Sequence, residues 1–190
     1  VSIALDDTGK PCISYYDPIA KEIKVAEKTP EGWQISSIDS AYSSKSSLKI
    51  DSTGKIHICY SYGIITGMYS QLKYAWKDQS GWHREAVDAS ADVSYSCSLG
   101  LDSSGNPHIS YDDFTNGNVK YAFRNSSGWH KETVDSGSTS SISIDLQNRP
   151  HIAYYDRCNK ALKYAYKDAS VWKKETIDGI SDVTGNISLT

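Results

Sequence analysis

Apolar and polar residues alternate with a period of two along short runs, and these runs come in groups of four. The second run of each group pairs an isoleucine with a tyrosine on one face: Ile13 and Tyr15, Ile58 and Tyr60, Ile109 and Tyr111, Ile152 and Tyr154. Cys12, His57, His108 and His151 occupy the opposite face. A period of two puts side chains alternately on the two faces of a β-strand. Both faces are committed here, as they are in a propeller blade covered on each side by a neighbour.

The groups repeat. Ser2-Ile3-Ala4-Leu5-Asp6 returns at Ser47 to Asp51, Ser98 to Asp102 and Ser141 to Asp145, and a degraded fifth start lies at Asn186 to Thr190. The copies begin 43 to 51 residues apart, which matches a four-stranded propeller blade and is too long for a leucine-rich or hexapeptide solenoid. In the third copy the runs are Ser98 to Asp102, Pro107 to Asp113, Val119 to Arg124 and Trp129 to Asp135. Between the first two stands Asp-Ser-Ser-Gly-Asn, a predicted hairpin turn in which Asp bonds the following backbone and Gly supplies positive φ. Gly9, Gly54 and Gly105 hold that place, and Asn148, the next best residue for left-handed backbone, holds it in the fourth copy.

The pattern predicts an all-β chain: a β-propeller of four-stranded antiparallel blades, one domain over 1–190. The repeats run over 2–46, 47–97, 98–140 and 141–185, with a fifth strand start at 186–190. Four repeats fit a closed four-bladed ring, an arc of a larger ring, or a ring shared between copies. Trp33, Trp82, Trp129 and Trp172 open the fourth run of each copy. One large ring per copy at one place predicts packing between equivalent blades. Trp76 falls outside that pattern and is expected on variable surface.

Composition narrows the function classes. With 14 Tyr and 5 Trp against 2 Phe and 1 Met, the aromatic set favours half-exposed sheet faces. The net charge of -3 has no basic stripe, so nucleic acid is not an expected partner. No run reaches the roughly 18 apolar residues of a membrane span. The chain starts at Val1 inside a strand with no leader ahead of it, as expected of a processed protein or an excised segment.

At its Ser-x-x-x-Asp-x-x-Gly turns, as in Ser98 to Gly105, and its following Trp, the chain resembles secreted sialidase-like or Asp-box-like propeller repeats. More distantly it resembles propeller lectins of the tachylectin kind. The usual Asp box reads Ser-x-Asp-x-Gly, so the spacing differs. The resemblance implies the fold and a place outside the cell or on its surface; activity does not follow from it, since one fold carries many functions.

A sialidase needs three arginines converging on a carboxylate, an acidic proton donor and a tyrosine nucleophile. Arg84, Arg124, Arg149 and Arg157 fall at non-equivalent places in the repeat, and no catalytic residue is predicted. His57, His108 and His151 suggest a metal ring, although one such histidine per strand start more simply satisfies neighbouring polar groups. His83 and His130 are expected on the surface. Asp112, Asp113, Asn116 and Asn118 carry enough oxygen for a calcium loop but lack EF-hand spacing, and a plain turn stabilised by Asp and Asn explains them better; no cofactor beyond calcium is suggested. Cys12 and Cys59 point the same way on equivalent strands and should not bridge, whereas Cys97 and Cys158 remain a candidate pair. Gly63 to Tyr69 is an insertion to inspect for a partner.

The expected function is a non-catalytic binding or scaffold module recognising glycan or protein through blade loops. Tyr16 with Asp17, and Tyr155 with Asp156, are the candidate glycan contacts, a ring to stack on a sugar beside a carboxylate to accept its hydroxyls. A sialidase-like hydrolase and a structural subunit forming homo-oligomers through open edges are the alternatives.

Overall fold

The structure, a computed structural model, describes residues 1–40, 45–63, 70–90, 93–179 and 187–188. The described residues hold sixteen strands and no helix. The first sheet is β1 (Ser2–Leu5), β2 (Pro11–Asp17), β3 (Glu22–Thr29) and β4 (Gly32–Ser40). The second is β5 (Ser46–Ile50), β6 (Ile56–Gly63), β7 (Ser70–Asp78) and β8 (Gly81–Asp88). The third is β9 (Val93–Leu101), β10 (Pro107–Asp113), β11 (Asn118–Asn125) and β12 (Gly128–Ser136). The fourth is β13 (Ser138–Ile144), β14 (Pro150–Asp156), β15 (Ala161–Asp168) and β16 (Val171–Asp178). Each sheet is antiparallel with its strands in chain order, and the fold is a β-propeller of four-stranded blades. Most of the fifth strand start at 186–190 and of the 63–69 insertion lies outside the described residues.

Two compact units divide the chain, Val1–Tyr95 with the first two sheets and Ser96–Thr190 with the last two, β9 entering the second unit at Ser96. The turn chemistry read from sequence is present in every sheet. Gly9 donates to the Asp6 carbonyl at 2.9 Å, and Gly54, Gly105 and Asn148 repeat the bond to Asp51, Asp102 and Asp145. The four residues have φ of 78°, 82°, 76° and 61°. In the first turn Asp6 Oδ1 also accepts the Thr8 and Lys10 N–H groups, so the carboxylate fixes the hairpin from inside.

In the first unit one apolar core joins the two sheets. Cys12, Ile23, Val25 and Ile38 of the first sheet meet Leu48, Ile56, Ile58, Tyr60 and Ala75 of the second, with Trp82 against them. In the second unit Val119, Tyr121 and Val134 meet Ile142, Ile152, Tyr154 and Ala165, with Trp172 against them. Trp82 and Trp172 thus pack between neighbouring blades, as their one-per-copy placement predicts. Trp33, by contrast, is 48% exposed.

A β-bulge recurs at one place in all four sheets, where the third strand's register shifts just before Lys24, Lys73, Lys120 or Lys163. In the first sheet Ile23 pairs with Asp39 and Lys24 with Ser37, leaving Ile38 as the extra residue. Such a bulge re-aims side chains. Ile38 and Val134 enter the cores, and the aspartates after them reach the next blade. Asp39 accepts Tyr60 Oη at 3.0 Å and Lys73 Nζ at 2.8 Å. Asp135 accepts Tyr154 Oη at 2.6 Å and Lys163 Nζ at 3.2 Å.

Candidate functional site

The turns after the second strands carry the residues expected to bind glycan, and the first duty of their carboxylates is structural. Asp17 Oδ1 accepts the Ile19 and Ala20 N–H groups, and Oδ2 accepts Lys24 Nζ at 2.7 Å. That lysine bond, with the two N–H groups, holds the Asp17 pKa at about 2. Asp156 is fully buried. Its Oδ1 takes the Cys158 and Asn159 N–H groups, and its Oδ2 takes Asn159 Nδ2 at 2.8 Å and Lys163 Nζ at 2.8 Å. Burial pushes its pKa up, but Lys163 and Asn159 outweigh burial and hold it at about 2. Tyr16 is half-buried against the first unit's core, and Tyr155 is half-buried on β14.

Asp113 is the repeat equivalent of Asp17 and Asp156 and caps its turn in the same way, taking the Asn116 N–H at 3.1 Å and Asn116 Nδ2 on both oxygens. Asp112 reaches instead to the Thr139 N–H at 3.0 Å, and Asn118 opens β11, paired with Asp113. Thr139 has φ of 55°, and the β13 register shifts between Ser138 and Ser141. In the first unit the hydroxyls of Ser14 and Ser46 bond at 2.9 Å. Their equivalents Ser110 and Ser140 are buried with no partner among the described residues, because the shifted register separates what the regular one joins.

The histidines belong to a chain that sequence reading missed. His57 Nε2 lies 3.1 Å from Asp51 Oδ2, and Nδ1 lies 2.5 Å from Tyr74 Oη. His151 repeats it with Asp145 at 3.0 Å and Tyr164 at 2.5 Å, and His108 with Asp102 at 3.6 Å and Tyr121 at 2.5 Å. A neutral imidazole donates from Nε2 to the turn carboxylate and accepts the phenol at Nδ1. Burial lowers the His57 and His108 pKa values and favours that neutral form. In His57 and His151 both ring nitrogens are engaged, so these imidazoles tie the hairpin turn to the third strand; His108 keeps the tyrosine bond, with its carboxylate 3.6 Å away.

Aromatic stacking continues the chain outward. Tyr74 stacks on Trp76 at 5.6 Å and Trp76 on His83 at 4.9 Å, with Lys55 Nζ 5.5 Å above Trp76. Tyr121, Phe123 and His130 form the same ladder, and Tyr164 and Tyr166 part of it. Trp76 is therefore not variable surface. Its position is aromatic in three copies, hidden from sequence comparison because the ring differs each time. His83 and His130 are its outer rungs, each also bonded to a turn serine at 2.9 Å.

The four cysteines are free thiols, with Cys97 buried and Cys158 exposed, so the candidate pair is unbridged. Burial pushes the Cys12 thiol up to about 12, which makes it inert. Within the second unit the arginines diverge. Arg149 precedes β14, bonded to Asp145 at 2.7 Å, whereas Arg157 follows it, bonded to Ser138 Oγ at 2.7 Å. A seven-residue strand keeps those two guanidinium groups roughly 20 Å apart.

A solvent-facing cleft lies in the first unit, between its two sheets. It has a volume of about 780 Å³ and is lined by Glu27, Lys55, Ile56, Lys77, Gln79 and neighbouring turn residues. Lys77 Nζ bridges to Glu27 Oε1 at 2.7 Å on its wall. Glu27 stands where the other copies have Trp76, Phe123 or Tyr166, a departure from the repeat that sequence reading passed over.

No family model matches this chain, and no curated protein does. Solved structures match it in fold. An α-L-arabinofuranosidase from Fusarium graminearum, in complex with an iminosugar inhibitor, aligns at TM-score 0.63 and 10% identity over 93% of this chain and 65% of its own. An ulvan lyase aligns at TM-score 0.61 and 14% identity over 97% and 58%. An intramolecular trans-sialidase from Ruminococcus gnavus aligns at TM-score 0.54 and 15% identity over 89% and 42%. The chain spans less than two thirds of each of these proteins. They are β-propeller proteins, and among the described residues no helix is long and apolar enough to cross a membrane.

Proposed function

We propose that this protein is a non-catalytic, extracellular carbohydrate-binding propeller module that takes its ligand in the cleft between the first two sheets. The observation that carries the reading is the lining. Glu27, Lys55, Lys77 and Gln79 set donors and acceptors around one apolar residue, Ile56, the complement of a polyhydroxylated ligand. The enzymes of like fold are named for saccharide chemistry, but likeness at this identity speaks for fold and not for activity. Tyr16 with Asp17 and Tyr155 with Asp156 are further candidate contacts: their carboxylates set the turns, and their half-buried rings are the part left to meet a sugar.

A glycan array with the purified chain tests this, followed by titration calorimetry on the best binder. Gln79→Ala and Lys55→Ala should each weaken binding about tenfold with unchanged melting temperature. Binding unaffected by both, or turnover of a sialoside or arabinoside, overturns the reading.

A further inference from the structure

Trp82 and Trp172 hold one place in the repeat, and so do the lysines opposite them. Lys77 pairs with Trp82 across β7 and β8, and Lys167 pairs with Trp172 across β15 and β16. Residues directly opposite in an antiparallel pair share a face, so each of these blades sets an indole N–H beside an ammonium. In the second unit both donors converge on one carboxylate of the blade before. Trp172 Nε1 donates to Glu132 Oε2 at 3.1 Å, and Lys167 Nζ binds Oε1. The second unit thus holds a complete carboxylate site, filled by the chain's own side chain.

In the first unit the same two donors lack that acceptor. Ser36 takes the place of Glu132, paired with Val25 as Glu132 is paired with Tyr121. Trp82 Nε1 is buried with no partner among the described residues, and Lys77 Nζ reaches to Glu27 Oε1 at 2.7 Å instead. The neighbouring rings are replaced as well: where the third sheet has Tyr121 and Phe123, the first has Val25 and Glu27. Glu27 and Lys77 stand in the wall of the cleft. A buried donor left unpaired opposes folding, and an acceptor brought by a ligand relieves that cost.

We infer, on the carbohydrate reading of the cleft, that its ligand brings the missing carboxylate. The ligand is an acidic saccharide of the hexuronate class, whose carboxylate lies between Trp82 Nε1 and Lys77 Nζ as Glu132 lies between Trp172 and Lys167. Lys77 need not release Glu27, since a lysine carries three donors and Lys163 bonds Asp135 and Asp156 together. The other charges of the lining leave room for an anion. Asp78 is turned to Ser80 and His83 of its own hairpin, and Glu27 is offset by Lys77. Lys55, its ammonium 5.5 Å above the Trp76 ring, adds a second cation.

Two measurements test this, the first without any ligand. Ser36→Glu gives the first sheet the carboxylate that the third has. It should raise the urea midpoint, and the gain should vanish in the Ser36→Glu/Trp82→Phe double variant. No gain overturns the inference, because the two donors would then not converge as they do in the second unit. The second is a glycan array printed with uronate oligosaccharides beside their methyl esters, which keep the sugar and remove the charge. The acids should bind about tenfold or more tightly than the esters, and Ser36→Glu should weaken that binding about tenfold or more by filling the site and repelling the anion. Esters bound as well as acids, or neutral glycans bound alone, would overturn this inference and leave the carbohydrate reading standing. Binding of no glycan at all would overturn both.

Discussion

The hydroxyl of Tyr154 donates to Asp135 Oδ2 at 2.6 Å, and this bond marks the junction of two blades more clearly than any apolar contact. It repeats at Tyr60 and Asp39. Tyr60→Phe and Tyr154→Phe keep the ring and delete the donor to a charged acceptor, while Lys73 and Lys163 remain on the carboxylates. Each should lower stability by about 1.5–3 kcal/mol, read as a shift in urea midpoint with unchanged slope. A loss below about 0.5 kcal/mol at both sites would show that the lysine alone suffices.

Calcium should not stabilise the Asp112 to Asn118 turn. Asp113 is buried with both oxygens on Asn116, and Asp112 holds the Thr139 N–H, so a cation would have to displace these bonds. Melting in excess calcium and in chelator should give the same midpoint. A site filled at a hundred times its Kd would add about 2.7 kcal/mol, which a melting curve would not miss.

The strand pattern and hairpin turns were legible because their causes are local: a period of two, and an aspartate three residues before a Gly or Asn of positive φ. The bulge before Lys24 and its equivalents was not legible, since it is a property of pairing between strands. The Asp51–His57–Tyr74 chain was hidden for a related reason. Its members are 6 and 17 residues apart, and only the register that sets His57 opposite Trp76 brings Tyr74, two residues along, within reach as a diagonal neighbour. Turn aspartates such as Asp17 and Asp156 looked free for ligand because sequence shows a carboxylate without showing which amides point at it.

The same chain makes stability depend on pH. His57 and His108 are held neutral by burial, with folded pKa values below the usual 6.5. The unfolded chain therefore binds more protons as pH falls through the unfolded value, and stability is fully present above about 6.5 and declines below it. Each histidine contributes a slope of up to about 1.4 kcal/mol per pH unit. Asp51, held at about 2 against burial by Thr53, His57 and two backbone N–H groups, adds a further loss between about pH 4 and 2. His57→Gln offers an amide donor to Asp51 and an acceptor to Tyr74 without titrating. Urea titrations from pH 8 to 5 should show a shallower decline for this variant; an unchanged slope would mean that His57 takes up its proton inside the fold.

Trp82 and Trp172 occupy one position in two blades and differ in a single bond. Trp172 Nε1 donates to Glu132 Oε2 at 3.1 Å, whereas Trp82 Nε1 is buried with no partner among the described residues. Ser36 stands in the first sheet where the third has Glu132, too short to replace the carboxylate. Trp82→Ala and Trp172→Ala should both destabilise, by about 2 kcal/mol, less than the 3–5 kcal/mol of a fully buried ring, because each is half-buried. Substitution by Phe separates them. Trp172→Phe loses a bond to a charged acceptor and should cost about 1 kcal/mol. Trp82→Phe removes an unpaired donor whose desolvation opposed folding, which offsets the area lost, and should be near neutral. Denaturant melts of the two Phe variants therefore decide whether the N–H or the ring matters. Equal losses at both positions would assign the whole effect to packing, and a larger loss at Trp82 would mean that its indole finds a partner in solution.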